Sequence, residues 1–160
     1  MRDGAGTIAV QVRAARAEDA AALANLATQL GYPSTTEEIA GRLRQLLPHG
    51  EHQVFVAEAP GEGVRGFLHA YAGISLESGP RAEILGLVTD ATMRSRGMGR
   101  RLVGEAEAWA RARGLAVINV HCNVVRDDAH RFYEGLGFAC VKTQKYFRKP
   151  LAGSGESGAR

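Results

Sequence analysis

Apolar positions recur along this chain with two different periods, and the switches between them mark its elements. Residues 7–13 (TIAVQVR) alternate and predict a first strand. Residues 17–30 turn to helical spacing, with Leu23, Leu26 and Leu30 recurring and Glu18 and Asp19 at the electropositive N-terminal end. Gly31, Tyr32 and Pro33 stop that helix. A second starts at Thr35 or Thr36, whose hydroxyl can cap it, and carries Ile39, Leu43, Leu46 and Leu47 in one stripe. Residues 54–57 (VFVA) and 64–74 (VRGFLHAYAGI) read as a hairpin about the turn 60–63. Residues 82–89 (AEILGLVT) are another strand, in which Gly86 signals a bulge or a close backbone approach. Met98, Leu102, Val103, Ala106, Trp109 and Ala110 define an amphipathic helix ending at Gly114. Residues 116–122 (AVINVHC) predict a buried strand, and 127–136 a short helix with Ala129, Phe132, Tyr133 and Leu136 on one side. A closing hairpin is expected from 138–141 and 145–148.

The resulting order, β-α-α-β-β-β-α-β-α-β-β, is that of an α/β domain: a single mixed sheet flanked by helices, with no internal repeat. Strand 82–89, the helix after it and strand 116–122 form one βαβ unit, so these two strands should run parallel. The 160 residues suit one domain, assigned to 1–150, with the Gly/Ser-rich stretch 151–160 as a flexible tail. Hydrophobic residues at 45% and charged residues at 23% argue against wholesale disorder. Two cysteines, Cys122 and Cys140, exclude a disulfide-dense secreted scaffold. No apolar run reaches the roughly 20 residues that span a bilayer. The opening MRDGAGTIAV lacks a signal-peptide core, so a soluble cytoplasmic protein is expected. The histidines at 49, 52, 121 and 130 have no ligand spacing, and no metal is expected.

The net charge of +3 is mild, but its densest concentration is not: residues 93–102 read MRSRGMGRRL. A loop that leaves a strand and opens a helix offers unpaired N–H groups backed by the helix dipole, a ready phosphate site. Gly97 and Gly99 let a backbone approach an anion, and Arg94, Arg96, Arg100 and Arg101 add positive charge. The Walker spacing fails because no Lys-Ser or Lys-Thr follows either glycine. The dinucleotide fingerprint fails because position 102 is leucine. What remains is Arg94-x-x-Gly97-x-Gly99 after a strand. This closely resembles the acyl-CoA pyrophosphate loop, Q/R-x-x-G-x-G/A, of the GNAT N-acetyltransferase superfamily. About 30 residues downstream, DAHRFYEGLGF resembles that superfamily's last helix and its FYxxxGF ending.

The resemblance implies that acetyl-CoA lies where the strand 84–89 splays from its parallel neighbour 117–122, with a bulge near Gly86 and Leu87. Leu87, Val88 and Thr89 would line the pantetheine arm and acetyl group. Arg94, Ser95, Arg96, Gly97, Met98, Gly99 and Arg100 would hold the pyrophosphate. Tyr133 matches the tyrosine that protonates the departing thiolate, and a phenol keeps its proton at neutral pH. Glu83 is the first candidate for the general base, with His69 and Tyr71 as alternatives that could also touch substrate. Many members carry asparagine seven residues before the tyrosine; here that position is Arg126, and Asn123 is the candidate substitute. The implied reaction is acetyl transfer from acetyl-CoA to a primary amine by direct attack in a ternary complex, the alternative being a non-catalytic acyl-CoA-binding or sensing domain. The expected partner is a small-molecule amine, with no nucleic acid and no membrane. Homodimerisation, common in the superfamily, is carried over as an option.

Overall fold

The computed structural model describes residues 9–94 and 96–153. By its internal packing the chain divides into a first unit ending at His121 and a second beginning at Cys122.

The first unit holds β1 (Gln11–Ala14), α1 (Ala20–Leu30), α2 (Thr36–Leu46), β2 (His52–Ala59), β3 (Gly63–Ser75), β4 (Gly79–Thr89), α3 (Met98–Ala112) and β5 (Ile118–Val120). The strands form one sheet in chain order, antiparallel except for the parallel pair β4–β5. Mixed pairing and flanking helices are the architecture that the residue pattern predicts. Local chemistry sets the helix ends. The Thr35 hydroxyl accepts from the Glu38 N–H and the Glu38 carboxylate accepts from the Thr35 N–H, closing the capping box that starts α2. The 17–30 stretch opens with a 3₁₀ turn, Ala17–Asp19, in which Asp19 is buried beneath a bidentate bond from Arg13.

Alternation along the strands divides the core. Val54, Val56 and Phe67 pack with Leu23 of α1 and Leu43 of α2 on one face. Gly66, one position over, faces α3: a Cβ there would lie 2.9 Å from Met98 Sδ and 3.3 Å from a Leu102 methyl. Leu68, Leu102, Met98 and Val103 are almost wholly buried. The sheet is thus a platform with α1 and α2 on one side and α3 on the other.

Three expectations change. The strand expected over 116–122 is paired only at Ile118–Val120 and is half-buried, with Val117 52% exposed. It lies at the end of the sheet and its pairing stops where β4 bulges. The bulge itself falls at Leu85, just before Gly86 and not at Gly86–Leu87, because His69 pairs with Gly86 while Ala70 pairs with Ile84. The hairpin expected from 138–141 and 145–148 does not form. Those residues carry no strand, and Val141, Tyr146 and Phe147 are each at least 85% exposed. A two-stranded ribbon with no third strand is marginal, and these residues have none. The first strand begins at Gln11; Thr7 and Ile8 lie outside the described residues.

The second unit contains α4 (Asp127–Gly135), one residue shorter than expected and with no buried position. Phe132, Tyr133 and Phe138 meet edge to face at centroid distances of 5.2 and 5.5 Å, a small aromatic cluster of its own. No helix among the described residues is long and apolar enough to cross a membrane.

Candidate active site

The parallel pair supplies the first feature. β4 pairs with β5 only from Ala82 to Ile84, and the Ala82 N–H reaches the Val117 carbonyl at 2.9 Å. Beyond the Leu85 bulge, the β4 edge through Leu87, Val88 and Thr89 has no strand partner on that side among the described residues. That unpaired edge runs into the turn Ala91–Met93 and then into the arginine loop.

The loop hangs between two anchors, since Met93 and Met98 are 2% and 1% exposed while Arg94, Arg96 and Arg100 are exposed. Gly97 stands at φ +77°, in left-handed backbone that a side chain disfavours, and no atom lies within 4 Å of where its Cβ would be. Its carbonyl takes the first helical bond, from the Arg101 N–H at 3.1 Å. The N–H groups of Met98, Gly99 and Arg100 therefore have no helical acceptor, at the positive end of a 15-residue helix. Ser95 lies outside the described residues.

A clamp that periodicity did not single out fixes this turn. Gln29, in the last turn of α1, donates to Asp90 Oδ2 at 3.2 Å and accepts from the Ala91 N–H at 3.1 Å. Asp90 also accepts from the Thr92 N–H and hydroxyl, at 2.9 and 2.6 Å, and from Arg65 at 3.4 Å. These bonds, Thr92 first, hold its carboxyl down at about 2 despite burial.

Along β4 the bulge reverses the side-chain alternation. Glu83 opposes Tyr71 and Gly86 opposes His69, so Glu83 shares a face with Gly86 and Val88, and not with Leu87 as an unbroken strand would have it. This is the α1–α2 face. Glu83, the expected base, has Oε1 bonded to Arg81 Nε at 2.8 Å. Next to it, His52 Nδ1 and His69 Nε2 lie 2.9 Å apart, and the His52 ring is 4.8 Å from that of Tyr71. Burial first, and His52 second, press the His69 imidazole down to about 4, so it is neutral at physiological pH. Glu83, His69 and Tyr71 thus lie close together, with His52 as an addition that spacing alone had considered only as a metal ligand.

In the second unit, burial pushes the Tyr133 phenol up to about 12, so it keeps its proton at neutral pH. Burial also raises the Cys122 thiol, which disfavours the thiolate needed for an acyl-enzyme. Asn123 Oδ1 is taken by the Val125 N–H at 3.1 Å, and its carbonyl meets the Arg126 N–H and His130 Nε2. Arg126 is the exposed N-cap of α4. His130 is partly buried and held in place by that bond.

Residues 17–138 match the Acetyltransferase (GNAT) family. The chain is 38% identical over 90 residues to the N-acetyltransferase YhdJ of Bacillus subtilis (strain 168), a match covering 55% of this chain and 61% of that relative. It is 32% identical over 146 residues to the aminoglycoside N(6')-acetyltransferase type 1 of Stenotrophomonas maltophilia, covering 88% and 93%. Among solved structures, AAC(6')-Iy in complex with the bisubstrate analog CoA-S-monomethyl-acetylneamine superposes with TM-score 0.79 over 89% of this chain and 99% of that one. At 17% identity, that likeness is one of fold.

Proposed function

This chain belongs to the GNAT acetyltransferase family and is an acetyl-CoA-dependent N-acetyltransferase, and we propose that it acetylates the primary amine of a small molecule by direct attack in a ternary complex. The observation that carries this reading is the β4 edge: a bulge at Leu85, a backbone through Leu87–Thr89 paired with β3 but not with β5, and a glycine–arginine loop opening α3. A peptide-like pantetheine arm can pair with such an edge, and the loop N–H groups suit its pyrophosphate. An N–H at the bulge would face the thioester oxygen as charge develops there. Arg94 through Arg100 form the cradle, and the family resemblance makes Asn123 or Arg126 a further candidate contact to the coenzyme.

Glu83 supplies the fixed carboxylate that attracts an ammonium to β4. By its position it is also one candidate to receive the amine's proton, with His69 and Tyr71 as the alternatives. Tyr133, protonated across the neutral range, gives its proton to the departing thiolate. The raised thiol of Cys122 supports direct attack over an acyl-enzyme. The domain is taken as 1–150, working in the cytoplasm, with a homodimer as its assembly to be measured. An aminoglycoside is the first acceptor to try, because the Stenotrophomonas maltophilia relative is named for that activity. The test is release of coenzyme A thiol over a panel of amines. Turnover with at least one amine is expected, whereas acetyl-CoA binding without turnover on any amine overturns the enzyme reading.

A further inference from the structure

We propose that His69 and His52 form the exit route for the acceptor's proton, His69 taking it from the ammonium and His52 passing it to solvent. The inference rests on the acetyl-transfer reading above and divides its labour: Glu83 attracts the charged amine and the histidine pair neutralises it.

The placement comes from two breaks in strand register. His69 opposes Gly86 directly beside the Leu85 bulge, where the acetyl group is read to lie. Gly86 has no side chain, and a Cβ built there would meet only Phe67 and Leu30, at 3.7 and 3.8 Å. Those two side chains cover Gly86, while His69 itself is only partly buried, and its ring can be reached from the acceptor face. A shift in the β2–β3 pairing between Ala57 and Glu58 sets His52 opposite Tyr71, diagonal to His69 on the same face.

The chemistry follows from which nitrogens meet. Their 2.9 Å contact joins His69 Nε2 to His52 Nδ1 and needs one N–H and one lone pair. With the proton on His69 Nε2, the His69 Nδ1 lone pair has no protein donor among the described residues. The step then balances. The N–H bond of the ammonium breaks as His69 Nδ1 takes the proton, the Nε2 proton moves to His52 Nδ1, and His52 Nε2 releases its own. One proton has crossed, both rings end neutral in the other tautomer, and exchange with water restores them once product has left. An imidazole whose pKa is pressed down to about 4 is a poor resting place for charge, which suits a relay better than a store. His52 also lines a cavity of about 520 Å³ bordered by Arg16, Glu18 and Leu47, an outlet toward solvent. Facing the pair are Tyr71 on β3, Val54 on β2, and Gly86 and the Arg81–Glu83 ion pair on β4, with Leu30 from α1 and Leu46 from α2. The charged groups nearby are thus the Arg81–Glu83 ion pair on β4 and, on the cavity that His52 lines, Arg16 and Glu18.

The test compares wild type with His69→Gln and His52→Phe, the second keeping a ring against Tyr71. The acceptor is whichever amine the wild type acetylates. Acetyl-CoA affinity and melting temperature, read first, should match wild type and certify the fold. At neutral pH, where the acceptor is an ammonium, the rate of both variants should fall about 100-fold. Raising the pH past about 10 supplies the amine already deprotonated, and the deficit should close to a few-fold. Tyr133 stays protonated over that range, so the thiolate side does not mask the rescue. A deficit that stays constant with pH, or no deficit at all, overturns the relay. If the wild type acetylates no amine, the enzyme reading falls first and the relay with it, and the missing wild-type rate distinguishes that case.

Discussion

Two regions of the first unit are proposed to meet the two substrates, and they are built on opposite principles. The cradle at 94–100 is nearly contiguous and works through backbone: a left-handed Gly97, free helix N–H groups and two buried methionines that hold its ends. The acceptor face takes His52, Tyr71 with His69, and Glu83 from three strands and works through side chains bonded in pairs. A backbone cradle suits a cosubstrate that never changes, because side-chain substitutions leave it intact. A face made of side chains can be rewritten for a new amine without touching the cradle. Breaking each region should therefore have a separable signature.

The largest effect is expected outside both regions. Tyr133→Phe removes the proposed proton donor and should lower kcat about 100-fold with acetyl-CoA affinity unchanged. Single-turnover thiol release beside equilibrium binding checks this, and an unaltered kcat would return Tyr133 to its aromatic cluster alone.

Within the cradle, Gly97→Val forces a branched side chain into left-handed backbone, at a cost of about 1–2 kcal/mol or a shift of the loop. Acetyl-CoA affinity should fall at least tenfold, and the amine's KM should stay near wild type. Arg96→Ala, by contrast, keeps the N–H groups and should cost only a few-fold, with a shallower salt dependence. Calorimetric titration of both variants measures the ratio; equal losses would mean that the guanidinium, not the backbone, does the holding.

On the acceptor face, Glu83→Gln keeps shape and removes charge. The amine's KM should rise about tenfold, equivalent to about 1.4 kcal/mol, with acetyl-CoA affinity unmoved. A loss confined to acetyl-CoA binding would invert the assignment of the two regions.

The same contrast explains what could be read from residue order. The cradle was legible because its parts lie within seven positions and its glycine spacing is the signal itself. Element order was legible because the apolar periods of α1, α2, α3 and the β2–β3 hairpin are strong. The acceptor face was only half legible, since Glu83, His69 and Tyr71 could be named but not arranged. Extending the register from the turn at 60–63 without a break would set His52 opposite Ala70, on the α3 side. The shift at Ala57/Glu58 moves it opposite Tyr71, and the bulge at Leu85 likewise moves Glu83 off the face of Leu87. Neither bulge has a local signature beyond Gly86. The expected 138–148 hairpin failed for a related reason: apolar residues such as Val141 and Phe147 promise a strand, but pairing needs a neighbour that sequence cannot guarantee.

The two regions are not independent, and Gln29 shows where they join. It sits on α1, whose end lies over the acceptor face, and its amide holds the turn that leads into the cradle. Gln29→Leu deletes both bonds to the turn, together with one to Asn25 within α1, and leaves the Ala91 N–H without its partner. The loss of about 1 kcal/mol should appear as a roughly five-fold weaker acetyl-CoA affinity with little change in the amine's KM. If the amine's KM shifts as much, the clamp serves α1 and not the turn.

The smallest effect tests whether that turn is held by charge or by shape. Asp90 titrates at about 2 in the fold against an ordinary 3.8, so the folded state favours its ionised form. A depressed carboxyl contributes stability that is fully present above the unfolded value and is lost as pH falls through the folded one. The difference in melting temperature between wild type and Asp90→Asn should therefore be constant near neutrality and shrink between about pH 4 and pH 2. Comparing the two proteins cancels the acid response of Asp19, which is also held down by its bond from Arg13 and falls in both alike. A gap that persists unchanged at pH 2 would mean that the Thr92 and Gln29 bonds fix the turn by geometry alone. In that case the cradle is held at its entrance as it is built at its centre, by hydrogen-bond direction with no need of charge.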